Sequence, residues 1–523
     1  MQTVFSKSSF IVILITIFSI CNASASSIYF NVKDYGAKGN GKNLDSKAIN
    51  KAIEVASADG GGTVFVPAGK YLSGSIRLKS NICLCIDQGA TIVAAPVCAE
   101  NDYDDEELSV NTIYQDYGHS HFKNSLIYGY NIENVSIIGT GLIDGKNLYT
   151  SFKGDNGDEF KAVYQTAKQT ANKSICFYRC KNVIMRDISI IHGGWFAILA
   201  TGVDNMTIDN LKIDTNRDGM DIDCCRNVRV SNCYVNSPCD DGICPKSTYA
   251  LGYPQATENV TITNCFVSGY EEGSMLDGTY KRSLDKPYGG LPTGRIKCGT
   301  ESNGGFKRIT ITNCIFEYCR GLALETVDGA ILEDITISNI TMRDIVKDPI
   351  FLRLGARMRG PEGVLVGELR RIKINDIMVY NADPKYVSTI TGIPGHNIED
   401  VELSNIHFYY QGGGIKQDLN KTIAENIKGY PEPGMFGEMP VYGLFVRHAK
   451  NIKVNDVEFY TIHPDNRPAI CFDDVKGADI RFVKAQKVPE SACLVFRNSS
   501  NINIFESFDL KNENILKADY VAK

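Results

Sequence analysis

One pattern of apolar and polar positions recurs along most of the chain. An asparagine or a charged residue is followed by alternating β-branched residues, a turn residue and a second short apolar stretch. Alternation with a period of two is typical of β-strands. The pattern therefore predicts many short strands, in copies that begin at Asn134, Asn182, Asn205, Asn227, Asn259, Arg308, Asp334, Arg371, Asp400 and Asn451.

The spacing of these copies indicates a repeating unit with insertions. Asn182 and Asn205 are 23 residues apart, Asn205 and Asn227 are 22 apart, and other steps exceed this minimum by variable amounts. A fixed minimum with a variable excess is typical of a solenoid whose coils carry loops. Short strands separated by single turn residues cannot form hairpins at this spacing. We therefore predict an all-β, right-handed parallel β-helix whose coils stack about 4.8 Å apart.

The turn position between the two apolar stretches holds asparagine in six copies. Asparagine tolerates left-handed backbone angles, and stacked asparagine side chains can hydrogen-bond along a solenoid axis. The next position holds Cys233, Cys265 and Cys314 where other copies have Leu or Ile, so we interpret these cysteines as buried apolar residues. The six asparagines are Asn210, Asn232, Asn264, Asn313, Asn339 and Asn405.

The two ends of the pattern differ from its middle. Residues 45–57 have helical spacing and predict a helix that caps the N-terminal end of the solenoid, with Asp45 as its N-cap. Before it, an apolar run at 10–18 and an Ala-Ser-Ala site ending at Ala25 predict a signal peptide, residues 1–25. A lipoprotein anchored at Cys21 is the less favoured alternative.

We expect one domain over residues 26–523, with long loops at about 96–128, 270–293 and 411–440 that wall a groove.

Composition and charge restrict the partners. The formal net charge is −6, the pI is about 5.8, and no long basic run occurs, which argues against nucleic acid. No later segment reaches 18 consecutive apolar residues, so we expect no membrane span. With the predicted signal peptide, we expect a secreted or periplasmic protein, and we expect it to be a monomer. Some of the 17 cysteines could pair in an oxidising compartment. No His lies near the cysteines of residues 224–244 in sequence, and we predict neither a metal nor a cofactor.

Five aspartates lie within 24 residues and carry the candidate chemistry. A coil of about 22 residues makes Asp218 and Asp240 neighbours on successive coils, with Asp241 beside them. Clustered carboxylates repel one another and raise the pKa of at least one member. Solvated turn aspartates and a calcium site are alternatives, but an acid beside ionised carboxylates suits glycoside hydrolysis. The five are Asp218, Asp221, Asp223, Asp240 and Asp241.

Two motifs carry a resemblance to a known family. NRDGMDID and CDDGICPKS resemble the Asn-x-Asp-Gly and Asp-Asp motifs of family 28 glycoside hydrolases, the polygalacturonases and rhamnogalacturonases. NVKDYGAKGNG, near the N-terminus, resembles the signature of pectin-degrading β-helix enzymes, and the resemblance covers roughly residues 28–510.

The resemblance implies inverting hydrolysis of α-linked galacturonic acid in pectin, an acidic plant cell-wall polysaccharide. It implies that Asp240 is the general acid and that Asp218 and Asp241 position and deprotonate the attacking water. Asn216 and Lys246 match motif positions that line the same site.

The chain also departs from the family pattern. At the position of the family's Gly-His-Gly motif this chain has residues 293–297, which include no His. At 323–325 it has Ala-Leu-Glu where the family's Arg-Ile-Lys motif is expected. We predict that Arg295 and Lys297 take over binding of the sugar carboxylate, because Arg offers a bidentate fork. Glu301, in the same segment, and Arg353, in FLRLGARMRG, are further candidate contacts. These departures favour a rhamnogalacturonan, a decorated pectin or a short oligomer, and the long loops favour exo action.

Two other functions fit the same scaffold. A β-elimination lyase or epimerase is one, and a non-catalytic polysaccharide-binding β-helix is the other. Trp195, the only tryptophan, is either a sugar-stacking platform or an aromatic residue of the groove floor. His192 nearby is interpreted as structural.

Overall fold

Parallel strands dominate the fold. The computed structural model describes residues 29–97, 103–107, 112–152, 161–164, 168–282, 292–486 and 491–523. Almost all neighbouring strands in these ranges pair in parallel, each with the strand one coil further on. The predicted right-handed parallel β-helix is confirmed.

In the first half of the solenoid the strands are short and alternate among three parallel sheets. One sheet contains β5, β8, β13, β16, β19 and β22, and we call it the first sheet. The strands are β1 (Tyr29–Asn31), β2 (Asn40–Leu44), β3 (Gly62–Val66), β4 (Gly69–Ser73), β5 (Ile76–Arg77), β6 (Ile82–Ile86), β7 (Ala90–Ala94), β8 (Ile127–Tyr130), β9 (Glu133–Ile138), β10 (Leu142–Asp144), β11 (Tyr149–Phe152), β12 (Lys161–Tyr164), β13 (Lys173–Tyr178), β14 (Lys181–Arg186), β15 (Ser189–Ile191), β16 (Phe196–Thr201), β17 (Asp204–Asp209), β18 (Lys212–Asp214), β19 (Asp218–Asp223), β20 (Arg226–Ser231), β21 (Tyr234–Asn236), β22 (Ile243–Lys246), β23 (Thr257–Thr263), β24 (Phe266–Ser268) and β25 (Lys297–Cys298).

In the second half many strands continue through the bend between two sheets and are correspondingly longer. A bridge between Ile243 and Ile296 extends the first sheet into β25, which pairs with β27 and through it with β29 and β31. The strands are β26 (Phe306–Glu317), β27 (Leu322–Thr326), β28 (Ile331–Arg343), β29 (Ile350–Leu354), β30 (Glu368–Ala382), β31 (Ser388–Thr391), β32 (Ile398–Tyr410), β33 (Leu444–Thr461), β34 (Ile470–Arg481), β35 (Lys484–Ala485), β36 (Leu494–Phe505) and β37 (Glu513–Ala522).

The register of the sheets confirms the coil length predicted from the repeats. Val183 pairs with Met206 and Met206 with Val228, which are steps of 23 and 22 residues. The inward members of these pairs are almost completely buried and stack into a continuous apolar core. Because each coil buries its apolar side chains against the next, the interior depends on stacking rather than on any single coil.

Asparagines hold the turns, as predicted. The six asparagines of the predicted turn position all have positive φ. Their side chains hydrogen-bond along the axis, for example from Asn264 Nδ2 to Asn232 Oδ1 at 3.3 Å. The first residue of each repeat copy also has positive φ, which the sequence did not indicate, and a second ladder runs there from Asn205 to Asn182 and on to Asn134 at 2.8 Å each.

A helix caps the N-terminal end, as expected. The helix α1 (Ser46–Ala58) buries Ile49, Ala52, Ile53 and Ala56 against the first strands. Asp45 lies at its N-cap position but does not cap it. Its carboxylate instead accepts hydrogen bonds from the backbone nitrogens of residues 38 and 39, at 2.7 and 3.0 Å, because the chain before the helix turns back across it. Short 3₁₀ helices span Val32–Tyr35, Tyr117–His119, Lys416–Asn420 and Pro433–Phe436.

At the other end, β37 pairs antiparallel with β36 and ends the parallel stack. Among the fifteen cysteines within the described ranges no two form a disulfide with each other, so the expected pairing of some of them does not occur there. Among the same residues no helix has the length and apolar character needed to cross a membrane. The predicted signal peptide lies outside the described residues and stays a prediction.

Candidate active site

Three carboxyl groups from successive coils meet at one end of the first sheet. Asp218 begins β19, while Asp240 and Asp241 lie in the turn just before β22, one coil further on. One carboxyl oxygen from each residue lies within 4.8 Å of the other two. The coil length thus brings together the three aspartates that the sequence singled out. We call them the carboxyl cluster.

A glycine permits this close approach of the two coils. Gly219 N donates a hydrogen bond to Asp241 O at 3.0 Å. A Cβ atom on Gly219 would lie 2.4 Å from Gly242 O and 2.3 Å from Val235 Cγ1, distances that real side chains do not reach. The glycine that follows Asp218 in the motif is therefore required by packing between the coils.

The surroundings of Asp218 favour its protonated form. Its side chain is buried, and Oδ1 has no hydrogen-bond partner. Burial, followed by the neighbouring negative charges of Asp240 and Asp221, raises the pKa of Asp218 well above its usual value. A carboxyl group in such surroundings is neutral over a wide pH range.

Asp241 is in the opposite state. Burial alone would raise its pKa, but the adjacent cations Lys297 and Arg295 outweigh burial and hold the pKa of Asp241 below its usual value. Arg295 Nε donates to Oδ1 at 2.8 Å, and Lys297 Nζ lies 3.2 Å from Oδ2. One cluster therefore contains a neutral carboxyl group and an ionised one, which is the pairing that acid–base chemistry requires.

Asp240 is the most accessible of the three, with 30% of its side chain exposed. Arg217 Nε donates to its Oδ2 at 2.9 Å and lies 3.5 Å from Asp218 Oδ2. The Arg217 guanidinium also lies over the ring of Trp195, 5.1 Å from its centroid, so Trp195 borders the cluster. The sequence reasoning missed Arg217, although it stands between Asn216 and Asp218 in the quoted motif.

Lys246 and Glu301 form a second group beside the cluster. Lys246 Nζ lies 3.5 Å from Glu301 Oε2 and 3.8 Å from Asp221 Oδ2. His119, from the loop at 112–126, contacts the same Asp221 oxygen through Nε2 at 2.8 Å. The predicted site residues Lys246 and Glu301 are therefore close together, and a histidine that the sequence did not indicate joins them.

The remaining predicted residues occupy different positions. Asn216 is half-buried next to the cluster, and its carbonyl accepts from Cys239 N at 3.0 Å. Arg353 is buried on β29 and donates to the carbonyl oxygens of Gly392 and Glu425 at 3.0 and 2.9 Å. The contact with Glu425 fastens the loop at 411–440, and the structure does not bring Arg353 to the carboxyl cluster. Its neighbours Arg357 and Arg359 do approach Glu301, at 3.6 and 3.8 Å.

His192 has the structural contacts expected of it. Its Nδ1 lies 2.9 Å from Asp144 Oδ1 on the next coil towards the N-terminus. The contact joins the ends of β15 and β10, which pair in the same sheet.

The oxygens of the carboxyl cluster are close enough together to share a cation. Arg217, Arg295 and Lys297 already supply positive charge to these same carboxyl groups. The three carboxyl groups and these three cations together form a candidate acid–base centre.

Comparison with known proteins agrees with this architecture. A family model described as rhamnogalacturonase A/epimerase, pectate lyase-like, matches residues 29–244. A probable polygalacturonase of Vitis vinifera is 26% identical over 454 residues, which cover 81% of this chain and 82% of that protein.

Two solved structures share the fold. The exopolygalacturonase of Thermotoga maritima superposes with a TM-score of 0.61 at 20% identity, over 83% of this chain and 91% of that chain. The family 28 exopolygalacturonase of Yersinia enterocolitica gives 0.55 at 17% identity, over 89% and 79%. These matches agree with the resemblance inferred from the motifs: the chain is similar in sequence to a polygalacturonase over most of its length and shares its fold with two exopolygalacturonases.

Proposed function

We propose that this protein hydrolyses α-linked galacturonic acid bonds in pectin, with inversion at the anomeric carbon. The observation that carries the proposal is the carboxyl cluster, in which a proton-holding Asp218 and an ionised Asp241 lie within reach of the accessible Asp240. The names of the polygalacturonase relatives support the choice of substrate.

In the proposed reaction Asp240 gives its proton to the oxygen of the leaving sugar. Asp240 suits this role because its side chain is the most exposed of the three. Arg217 contacts both Asp240 and Asp218, and the proton held on Asp218 can exchange between two such close carboxyl groups. Asp218 thereby reprotonates Asp240, and the proton that Asp241 takes from the attacking water then passes to Asp218, which restores the cluster for the next turnover.

Asp241 takes the proton from the attacking water. Lys297 and Arg295 keep it ionised, and the water oxygen then bonds to the anomeric carbon as the bond to the leaving oxygen breaks.

The anomer of the product tests this mechanism. The closest carboxyl oxygens are nearer to one another than the 6.5 to 9.5 Å of most inverting glycosidases, so stereochemistry decides between the two classes. We expect proton NMR of a fresh digest of an oligogalacturonide to show the β-anomer first. Initial appearance of the α-anomer would instead require a covalent intermediate and would contradict the proposed roles.

The same digest separates hydrolysis from elimination. Hydrolysis yields reducing ends without the ultraviolet absorbance of an unsaturated product, whereas a lyase yields both. We expect short products from the start, because the loops at 112–126 and 411–440 contact the site residues Asp221 and Arg295, and we infer that they close one end of the substrate groove. Early products of random length would show that the chain is attacked internally.

A further inference from the structure

The long loop at 411–440 brings a carboxylate into the active site. Glu432 Oε1 lies 2.5 Å from Arg295 Nη2, and Glu432 Oε2 lies 2.7 Å from Arg320 Nη1. Arg295 is the residue whose Nε binds Asp241. Glu432 therefore lies only one guanidinium group away from the carboxyl cluster.

Two guanidinium groups that each donate to one oxygen of a carboxylate form a strong, geometrically specific receptor for that group. Arg295 and Arg320 could in principle offer such a receptor to the carboxylate of a sugar. The chain's own Glu432 fills it instead. Arg295 is only 1% exposed, so its guanidinium has little surface left for a second anion.

The neighbouring cation is also engaged. Lys297 Nζ lies between Asp241 Oδ2 and Glu325 Oε2, at 3.2 and 3.7 Å. Burial, reinforced by the charges of Glu432 and Asp241 and opposed by Lys297 and Arg295, raises the pKa of Glu325 to about 7. Lys297 is thus shared between two carboxyl groups of the protein before any sugar binds, and with 2% of its side chain exposed it has little surface left for a third.

The same loop offers a surface suited to an uncharged sugar. Tyr430, two residues before Glu432, is 55% exposed. Its ring centroid lies 5.6 Å from Lys297 Nζ, which places the aromatic face beside the carboxyl cluster. An amphipathic ring of this kind packs well against the apolar face of a sugar and needs no charge on it.

Building on the proposed hydrolysis of galacturonide bonds, we propose that Glu432 determines specificity at this wall of the site. The sugar unit that contacts Glu432 and Tyr430 carries no free carboxylate. It is either a methyl-esterified uronosyl unit or a neutral sugar of a decorated pectin. Glu432 acts here as a built-in anion that rejects the free acid by repulsion and by occupying its receptor.

Three oligomers of equal length test the wild-type protein: a free-acid galacturonide, its methyl ester, and an oligomer of alternating rhamnose and galacturonate. We expect kcat/KM at least tenfold higher on one of the latter two than on the free acid. Which of the two is preferred identifies the source of the uncharged unit. Equal or faster hydrolysis of the free acid would overturn the inference and leave the proposed function standing.

Glu432→Gln isolates the charge, because glutamine keeps the shape and one acceptor oxygen. We compare kcat/KM on the free-acid oligomer with kcat/KM on the preferred one of the other two oligomers. We expect the ratio of the first to the second to rise at least tenfold in this variant. Glu438→Gln is the matched control: Glu438 is in the same loop, but its carboxylate contacts Lys421 and Lys385 at the surface, at 2.8 and 3.7 Å, and the ratio should not change.

Thermal melts of both variants show whether each is folded. An unchanged ratio in folded Glu432→Gln would refute the role of the charge. If that variant does not fold, the comparison of the three oligomers on the wild-type protein still tests the inference. Hydrolysis of none of the three oligomers would remove the proposed function itself, and the inference with it.

Discussion

Asp240→Asn is expected to lower kcat/KM on the best pectic oligomer by about 10³-fold, within the range that general acids contribute. Asparagine keeps the shape of the side chain and can still accept from Arg217 Nε, but it has no proton of suitable acidity for the leaving oxygen. The side chain is partly exposed, so the fold should be preserved. A reducing-end assay measures the loss, and circular dichroism with a thermal melt checks the fold.

Asp209→Asn is the matched control for this variant. Asp209 lies on another sheet, at the end of β17, where it accepts hydrogen bonds from Ser231 and Asn232. We expect its kcat/KM to equal that of the wild-type protein. Wild-type turnover in folded Asp240→Asn would remove Asp240 from the acid role.

Lys297→Met is expected to lower kcat/KM about 10²-fold and to change its pH dependence. Lys297 is one of the two cations that keep the pKa of Asp241 low against burial. Without it the pKa of Asp241 rises, so a base that must be ionised loses its proton only at higher pH. The acidic limb of the pH profile of kcat/KM should therefore move to higher pH, and an unmoved limb would contradict the role of Asp241 as the base.

The same substitution should reduce stability by roughly 3–5 kcal/mol near neutral pH, because it leaves buried Asp241 and Glu325 short of a counter-charge. The pKa of Asp241 is depressed in the folded protein, so its stabilising contribution is present above the unfolded pKa of about 3.9 and is lost as pH falls towards the folded pKa. The Tm of Lys297→Met should accordingly lie closer to the wild-type Tm at acidic pH than at neutral pH. Lys373→Met, which removes an exposed lysine 3.9 Å from Glu402, should leave Tm nearly unchanged at every pH.

The repeat made the fold and the carboxyl cluster predictable from the sequence. Asparagine at the turns and β-branched residues between them specify both the strand length and the left-handed corners, as the positive φ of Asn232 and Asn264 shows. Once the coil length is known, the meeting of Asp218 with Asp240 and Asp241 follows from counting residues. Local pattern and long-range contact coincide in a solenoid, because each residue's neighbours lie one coil away.

Contacts made by the inserted loops could not be predicted in this way. His119 reaches Asp221 across 102 residues of sequence, and Glu432 reaches Arg295 across 137. The position of each loop depends on how its whole length packs. Because the loops lie outside the repeat, the repeat pattern gives no information about that packing. Asp45 failed as a cap for a related reason, since an adjacent turn offered its carboxylate two backbone donors in place of the helix N-terminus.

The central claim is that acids from successive coils act as one hydrolytic centre, and a mutant cycle on Asp218 and Asp240 tests it most directly. Asp218→Asn, Asp240→Asn and the double variant are compared by kcat on one oligomer, with the fold of each checked by its thermal melt. If the two carboxyl groups act as a unit, each single variant loses orders of magnitude and the double variant loses little more than the worse single one. Losses that multiply, or full turnover by folded Asp218→Asn, would show that the two acids do not act together.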